Sequence, residues 1–171
     1  HTGGISERIY NAIGSAFGRL PMMARDQDEI VANVAVRFDE DICTISLDAT
    51  TTPLHRRGYR LDGRKAPLRE DIAHAMVLAS KWSPDTAMLD PFCGSGTIAI
   101  EAAGLALGLP PGRLRAPAMQ QTARFDMDAW QEVLGEGTPR DPIAPIAASD
   151  RDQGAVEATR QNAERAGVHQ A

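Results

Sequence analysis

Residues 89–103 read LDPFCGSGTIAIEAA. An apolar run ends on an acid, two glycines follow within six residues, and TIAIEAA then has a helix-forming composition. That order predicts a strand, a tight turn over 91–95 and a helix from about Gly96 to Leu107. A loop that leaves a strand and enters a helix presents backbone N–H groups at the positive end of the helix dipole, which suits an anion or a polar ligand group. Gly94 and Gly96 let the backbone bend and come close to such a ligand, while Ser95 and Thr97 are small and Thr97 could cap the helix.

The loop is specific in what it refuses. No lysine follows the glycines, so a triphosphate-binding loop has no support. The full dinucleotide pattern GxGxxG is not met, because Ala99 rather than glycine stands at its last position. Asp90, at the strand end, would repel a pyrophosphate and attract an ammonium group. A ligand with an amino-acid end and an adenosine end fits better, which points to S-adenosylmethionine. The alternative is a strand–turn–helix without a ligand, in which Asp90 only caps the turn.

Downstream, residues 146–150, IAASD, read as a second short strand, and 152–166 as a helix with Asp152 at its N-cap and Gly167 just beyond its end. A ligand ribose in such folds is held by an acid at the tip of the next strand. Asp150 is that acid by position, with Asp152 assigned to the cap; ordinary capping by both is the competing reading. Asp150 lies farther from the glycine loop than the ~20 residues of a compact unit. The excess is an insertion at about 108–145, with one short helix expected at 125–134. Strand, helix, insertion, strand, helix is the start of a parallel α/β sheet. Further strands are expected to follow residue 171, which makes the chain as given the N-terminal half of a Rossmann-like fold.

Upstream, residues 5–17 form an amphipathic helical pattern. Residues 30–38 alternate, Asp39–Glu40–Asp41 make a turn, and 42–48 supply a hairpin partner. This is an α+β element. Periodicity stops over 50–66, where Arg56, Arg57, Arg60, Arg64 and Lys65 crowd together against Asp62 alone. Such a patch could contact RNA phosphates; the plain alternative is a solvated linker anchored by Tyr59. A helix is expected from Pro67 to about Lys81, with Leu68, Ile72, Ala75, Met76 and Ala79 inward.

Bulk properties bound the rest. The chain has 171 residues, 43% of them hydrophobic, and a formal net charge of −5, so a basic field over the whole chain is excluded. Cys43 and Cys93 form no CxxC pair, which makes a reduced, cytoplasmic setting the expectation. No apolar run nears the ~20 residues that span a bilayer. No metal site is expected. His1 in place of Met makes a fragment or a processed product the expectation. Cys93 reads as an apolar filler, His74 as a helix-surface residue, Glu101 as bonded to the basic linker or facing water, and Trp82 and Trp130 as packing anchors.

Four segments together resemble one family: SLDATTTPLHRRGYR at 46–60, GRKAPLREDIAHAMVL at 63–78, LDPFCGSGTIAIEAA at 89–103 and ASDRDQGAVEATRQNAERAGV at 148–168. The chain is similar to the class I methyltransferases that follow a THUMP RNA-binding domain, the UPF0020 group. The resemblance implies a THUMP-like tail over 1–52, a basic linker and leading helix over 53–84, and a partial methyltransferase domain over 85–171. It implies that Asp90, Phe92, Gly94, Gly96 and Thr97 surround the methionine end of S-adenosylmethionine and that Asp150 holds the ribose. It also implies methylation of guanine N2 in ribosomal or transfer RNA. The family's catalytic element is an Asn/Asp-Pro-Pro-Tyr/Phe loop; no such tetrapeptide occurs here, and PRDP at 139–142 is no substitute. No catalytic residue is therefore assigned, and the chain alone is expected to be inactive. A DNA adenine-N6 methylase and a non-catalytic RNA-binding or assembly piece are the alternatives.

Overall fold

A computed structural model of the chain describes residues 2–20, 22, 33–48, 50, 52–60, 67–116, 120, 125–135 and 144–170. Arg64, Lys65, Asp62, the PRDP segment and the start of the first expected strand lie outside the described residues. The chain divides into two compact units, His1–Leu47 and Asp48–Ala171.

The first unit holds helix α1 (Thr2–Phe17) and the strands β1 (Val34–Asp39) and β2 (Ile42–Leu47). The strands pair antiparallel, with Phe38 opposite Cys43 and Asp39 opposite Ile42. Glu40 and Asp41 form the two-residue loop, both with positive φ (44° and 64°). That is the backbone hand that matches strand twist in a tight hairpin. The alternating apolar residues share a face as the sequence requires, yet only Val36 is half-buried; Val34 and Phe38 are exposed.

The second unit is built on β3 (Met88–Asp90), which pairs parallel with β4 (Ile146–Ala148). Helix α3 (Thr97–Ala106) packs on both strands and against α2 (Glu70–Ala79) and α5 (Gln153–Arg165); α4 (Met127–Gly135) falls in the insertion. Ala99, Ala102, Ala103 and Ala106 are buried on α3. Small side chains there let neighbouring elements approach closely. The apolar core is a cluster of Tyr59, Ile100, Ala103, Ala166 and Val168, with Leu107, Leu109, Ile146 and Ala163 against it. Burying Ile100 alone contributes about 1.5–3 kcal/mol.

Helix α5 begins and ends as expected. The Asp152 carboxylate accepts from the Gly154 amide at 2.9 Å, and Gly167 takes the left-handed conformation (φ 66°) beyond the C-terminus. Helix α2 departs from expectation in two ways. It starts at Glu70 rather than Pro67, after Arg69 in an extended conformation. Its buried stripe is Glu70, Ala73 and Val77, while Ile72 and Met76 are 44% and 48% exposed. The inward face differs from expectation because an acid heads the buried stripe, and that acid has a largely buried partner, Arg60.

Candidate cofactor site

The glycine loop continues the pairing of the two parallel strands. The Asp90 carbonyl accepts from the Ser149 amide (2.8 Å), and the Cys93 amide donates to the Ser149 carbonyl (2.9 Å). The Gly96 amide then closes a turn on the Cys93 carbonyl at 2.7 Å. Gly94 and Gly96 both have positive φ, 55° and 81°, and Gly96 is the N-cap of α3. Left-handed backbone favours glycine because a Cβ meets the following carbonyl there. The two glycines differ in their surroundings. A Cβ on Gly94 would meet nothing within 4 Å, whereas one on Gly96 would lie 2.5 Å from Thr159 Cγ2.

The two acids at the strand tips are drawn to this loop. The Asp90 carboxylate accepts from the Phe92 amide at 3.2 Å, so it does brace the turn. Asp150 does more than cap its own chain. One of its oxygens accepts from the Asp152 amide (2.9 Å), and the other accepts from the Gly94 amide (3.0 Å), 56 residues away. The amides of Asp152 and Gly94 hold its carboxyl below the usual carboxylate range. A carboxylate has about four lone-pair sites, so each Asp150 oxygen keeps acceptor capacity beyond its single amide bond. A vicinal diol is a pair of donors that matches this. Open space before Gly94 and an ionised acid beside it fit an adenosine-bearing ligand. Phe92 is 86% exposed and stands clear of the loop.

Thr97 is placed otherwise than expected. It is buried, does not cap α3, and its hydroxyl accepts from Arg60 at 2.5 Å. Cys93 is buried as expected, with its sulfur 3.4 Å from the Thr159 hydroxyl.

Two residues on α5 were missed by the sequence analysis. The Thr159 hydroxyl donates to the Gly94 carbonyl (3.1 Å), and the buried Asn162 amide donates to the Ser95 carbonyl (2.9 Å). Their signal was available. They are polar residues in line with Ala155 and Ala166, on the stripe that α5 buries.

The basic segment is divided. Arg56 is exposed, but the Arg57 and Arg60 side chains are only 15% and 10% exposed. Arg57 faces Glu101 at 3.7 Å and Arg60 faces Glu70 at 3.8 Å. These two arginines are therefore not part of a solvent-facing patch. Glu101 is buried and also accepts from the Tyr59 hydroxyl (3.1 Å), with His74 Nδ1 at 3.2 Å. His74 is thus tied to α3 rather than free on a helix surface. Burial pushes the Glu101 carboxyl above its ordinary value, against Arg57, Tyr59 and His74, which act the other way. Burial, and then the Glu101 and Glu70 charges, push the Tyr59 hydroxyl up, so it stays a donor across the physiological range. A cavity of about 20 Å³ lies beside this network, lined in part by Arg57, His74 and Glu101. It has room for one water molecule and none for an adenosine group.

Among the described residues, no group of three or more His, Cys, Asp or Glu side chains could hold a metal ion, and no helix is long and apolar enough to cross a membrane.

A parallel strand pair whose first strand runs through a glycine loop into a helix, with acids at both strand tips, defines an α/β protein of the Rossmann-like class. The chain belongs to the UPF0020 family, described as RMKL-like, methyltransferase domain, whose model matches residues 57–171. Ribosomal RNA large subunit methyltransferase K/L of Marinomonas sp. (strain MWYL1) is 35% identical over 175 residues, which is 94% of this chain and 24% of that protein. The chain spans about a quarter of the length of the ribosomal RNA methyltransferases it matches. Among solved structures, a predicted N6-adenine-specific DNA methylase from Listeria monocytogenes superposes with a TM-score of 0.82 at 31% identity, over 97% of this chain and 44% of that one. SMU.472, described as a methyltransferase and solved in complex with SAH, superposes with a TM-score of 0.80 at 30% identity, with the same coverage. The chain shares their class I methyltransferase fold.

Proposed function

We propose that the chain carries the S-adenosylmethionine-binding part of an RNA methyltransferase. The observation that carries this reading is the bond from the Gly94 amide to Asp150. It brings the acid of the second strand to the glycine loop of the first, across the whole insertion. Asp90, Phe92, Gly94 and Gly96 form the methionine end of the site, Thr97 braces the loop from its buried position behind it without touching the ligand, and Asp150 takes the ribose hydroxyls. The SAH complex of the relative SMU.472 supports the choice of cofactor. The cofactor supplies an electrophilic methyl group on its sulfonium. The chain's own part is to hold it and to fix the direction in which the methyl points. The substrate is RNA, with guanine N2 of ribosomal or transfer RNA as the target. The ribosomal RNA methyltransferases among the relatives support this substrate class. Arg56 remains the candidate phosphate contact among the described basic residues. The segment 1–52 serves as a THUMP-like tail, 53–84 as linker and leading helix, and 85–171 as the methyltransferase portion, in a cytoplasmic protein. The helix and hairpin of the first unit support the α+β character of that tail.

A DNA adenine-N6 activity is the second reading, favoured by the description of the Listeria relative. The experiment is a methyl-transfer assay on the full-length protein with unmodified ribosomal RNA, transfer RNA and DNA side by side, and calorimetric titration with SAH. Transfer to guanine in RNA is expected, as is a loss of SAH affinity of at least tenfold in Asp150→Asn. Transfer to DNA adenine alone, or SAH binding unchanged by Asp150→Asn, overturns the proposal.

A further inference from the structure

Tyr59 and Arg60 grip the glycine loop from two sides. Arg60 Nη2 donates to the Thr97 hydroxyl (2.5 Å) and to the Leu68 carbonyl (3.1 Å), while its Nη1 lies 3.8 Å from Glu70. One guanidinium thus joins the first residue of α3, the first residue of α2 and Leu68 just before it. Tyr59 reaches the loop by another route. Its carbonyl accepts from Arg165 Nε (2.7 Å), Arg165 Nη2 donates to Asn162 Oδ1 (2.5 Å), and Asn162 Nδ2 donates to the Ser95 carbonyl (2.9 Å). Its hydroxyl meanwhile holds Glu101 on α3 at 3.1 Å.

Tyr59, Thr97, Ser95 and Asn162 are all buried. A shift of the linker is therefore transmitted to the loop rather than absorbed by solvent, because a packed interior has no slack of that size. Helix stabilisation does not account for the arrangement. A cation beside the first turn of α3 opposes that helix's dipole.

We infer that Tyr59 and Arg60 are positioning residues for the cofactor loop, coupling ligand binding there to the placement of segment 53–60. This rests on the cofactor reading above. Segment 53–60 lies near the start of the second unit, which begins at Asp48. Coupling of this kind is reciprocal: a linker held in place tightens the cofactor, and the cofactor tightens the linker.

The test uses the full-length protein. SAH is titrated by calorimetry into the wild type, Arg60→Ala, Thr97→Val and the double variant. Hydrogen exchange at residues 53–60 is followed with and without SAH. Each single variant is expected to raise the SAH Kd about tenfold, and the double variant no further than the weaker single one. A Thr97 that touched the ligand directly would instead weaken binding further in the Arg60→Ala background. SAH is expected to slow exchange over 53–60 in the wild type and not in Thr97→Val. Thr97→Val is close to isosteric and keeps the test decisive if Arg60→Ala does not fold. Additive losses, wild-type affinity in folded single variants, or linker exchange that ignores SAH each overturn the inference while the cofactor reading stands. A wild type that binds no SAH overturns both.

Discussion

Gly96→Ala tests whether the glycine loop is held from behind by α5. Gly96 has φ 81°, and a Cβ there would lie 2.5 Å from Thr159 Cγ2 and 3.0 Å from its hydroxyl oxygen. Thr159 cannot simply turn away. Its hydroxyl donates to the Gly94 carbonyl at 3.1 Å and lies 3.4 Å from the Cys93 sulfur. The left-handed conformation costs a side chain about 1–2 kcal/mol. Forcing a methyl into a filled space adds about 1–3 kcal/mol. The expected loss is thus about 3 kcal/mol, which at a urea m-value of about 1–3 kcal/mol/M lowers the midpoint by ~1–3 M. Both tryptophans, Trp82 and Trp130, lie in the second unit, so their fluorescence follows the unit that carries the loop. Thr159→Ser separates the two contributions. It removes Cγ2, the nearest atom, and keeps the hydroxyl, so Gly96→Ala in that background should lose most of the packing part and cost closer to the backbone part of about 1–2 kcal/mol. An equal penalty in both backgrounds refutes the packing argument, and no penalty in either refutes the loop geometry itself.

Gly94→Ala should behave differently, because φ 55° exacts a backbone penalty of about 1 kcal/mol while nothing stands within 4 Å of the new methyl; denaturation should show that small loss, and calorimetry a larger loss of SAH affinity. Phe92→Ala should leave stability within about 0.5 kcal/mol, since the ring is 86% exposed, yet weaken SAH binding measurably; unchanged binding removes Phe92 from the site. Asp150 has a folded-state pKa below its ordinary 3.8, so its contribution to stability is present above that value and is lost as pH falls through the folded one. The urea midpoint of Asp150→Asn should therefore fall less than that of the wild type on acidification below pH ~4, and parallel curves would show that the two amide bonds do not favour the ionised form.

What the sequence made legible is what is local. A strand–glycine–helix signal, an N-cap aspartate and a C-terminal glycine each act over a few residues, and β3, α3, β4 and α5 fall where those signals put them. The hairpin was legible for the same reason. The buried face of α2 was not. Hydrophobicity counts favour Ile72 and Met76, but the helix turns Glu70, Ala73 and Val77 inward. A carboxylate enters a core only with a partner, and that partner, Arg60, stands outside the helix altogether. The position of Thr159 and Asn162 on the inward stripe of α5 was legible, but their partners were not, because those are carbonyls more than 60 residues away.

The arginines of the linker make the same point with an energetic consequence. A run of basic residues with one acid nearby looks like a solvated patch, because charges are normally left in water. Here Arg57 and Arg60 are buried against Glu101 and Glu70, in a region where an apolar substitute of equal volume would hold the helices together at least as well. Buried ion pairs break roughly even against such substitutes, so stability alone gives no reason for them. What an apolar side chain cannot do is tell one position of the linker from another a few ångströms away. A guanidinium can, because its Nη2 meets both the Thr97 hydroxyl and the Leu68 carbonyl in this placement, although its Nε stays buried without a partner. The network is therefore better understood as a register mark than as glue. Its removal should broaden the positions open to the linker and loop more than it lowers the melting temperature.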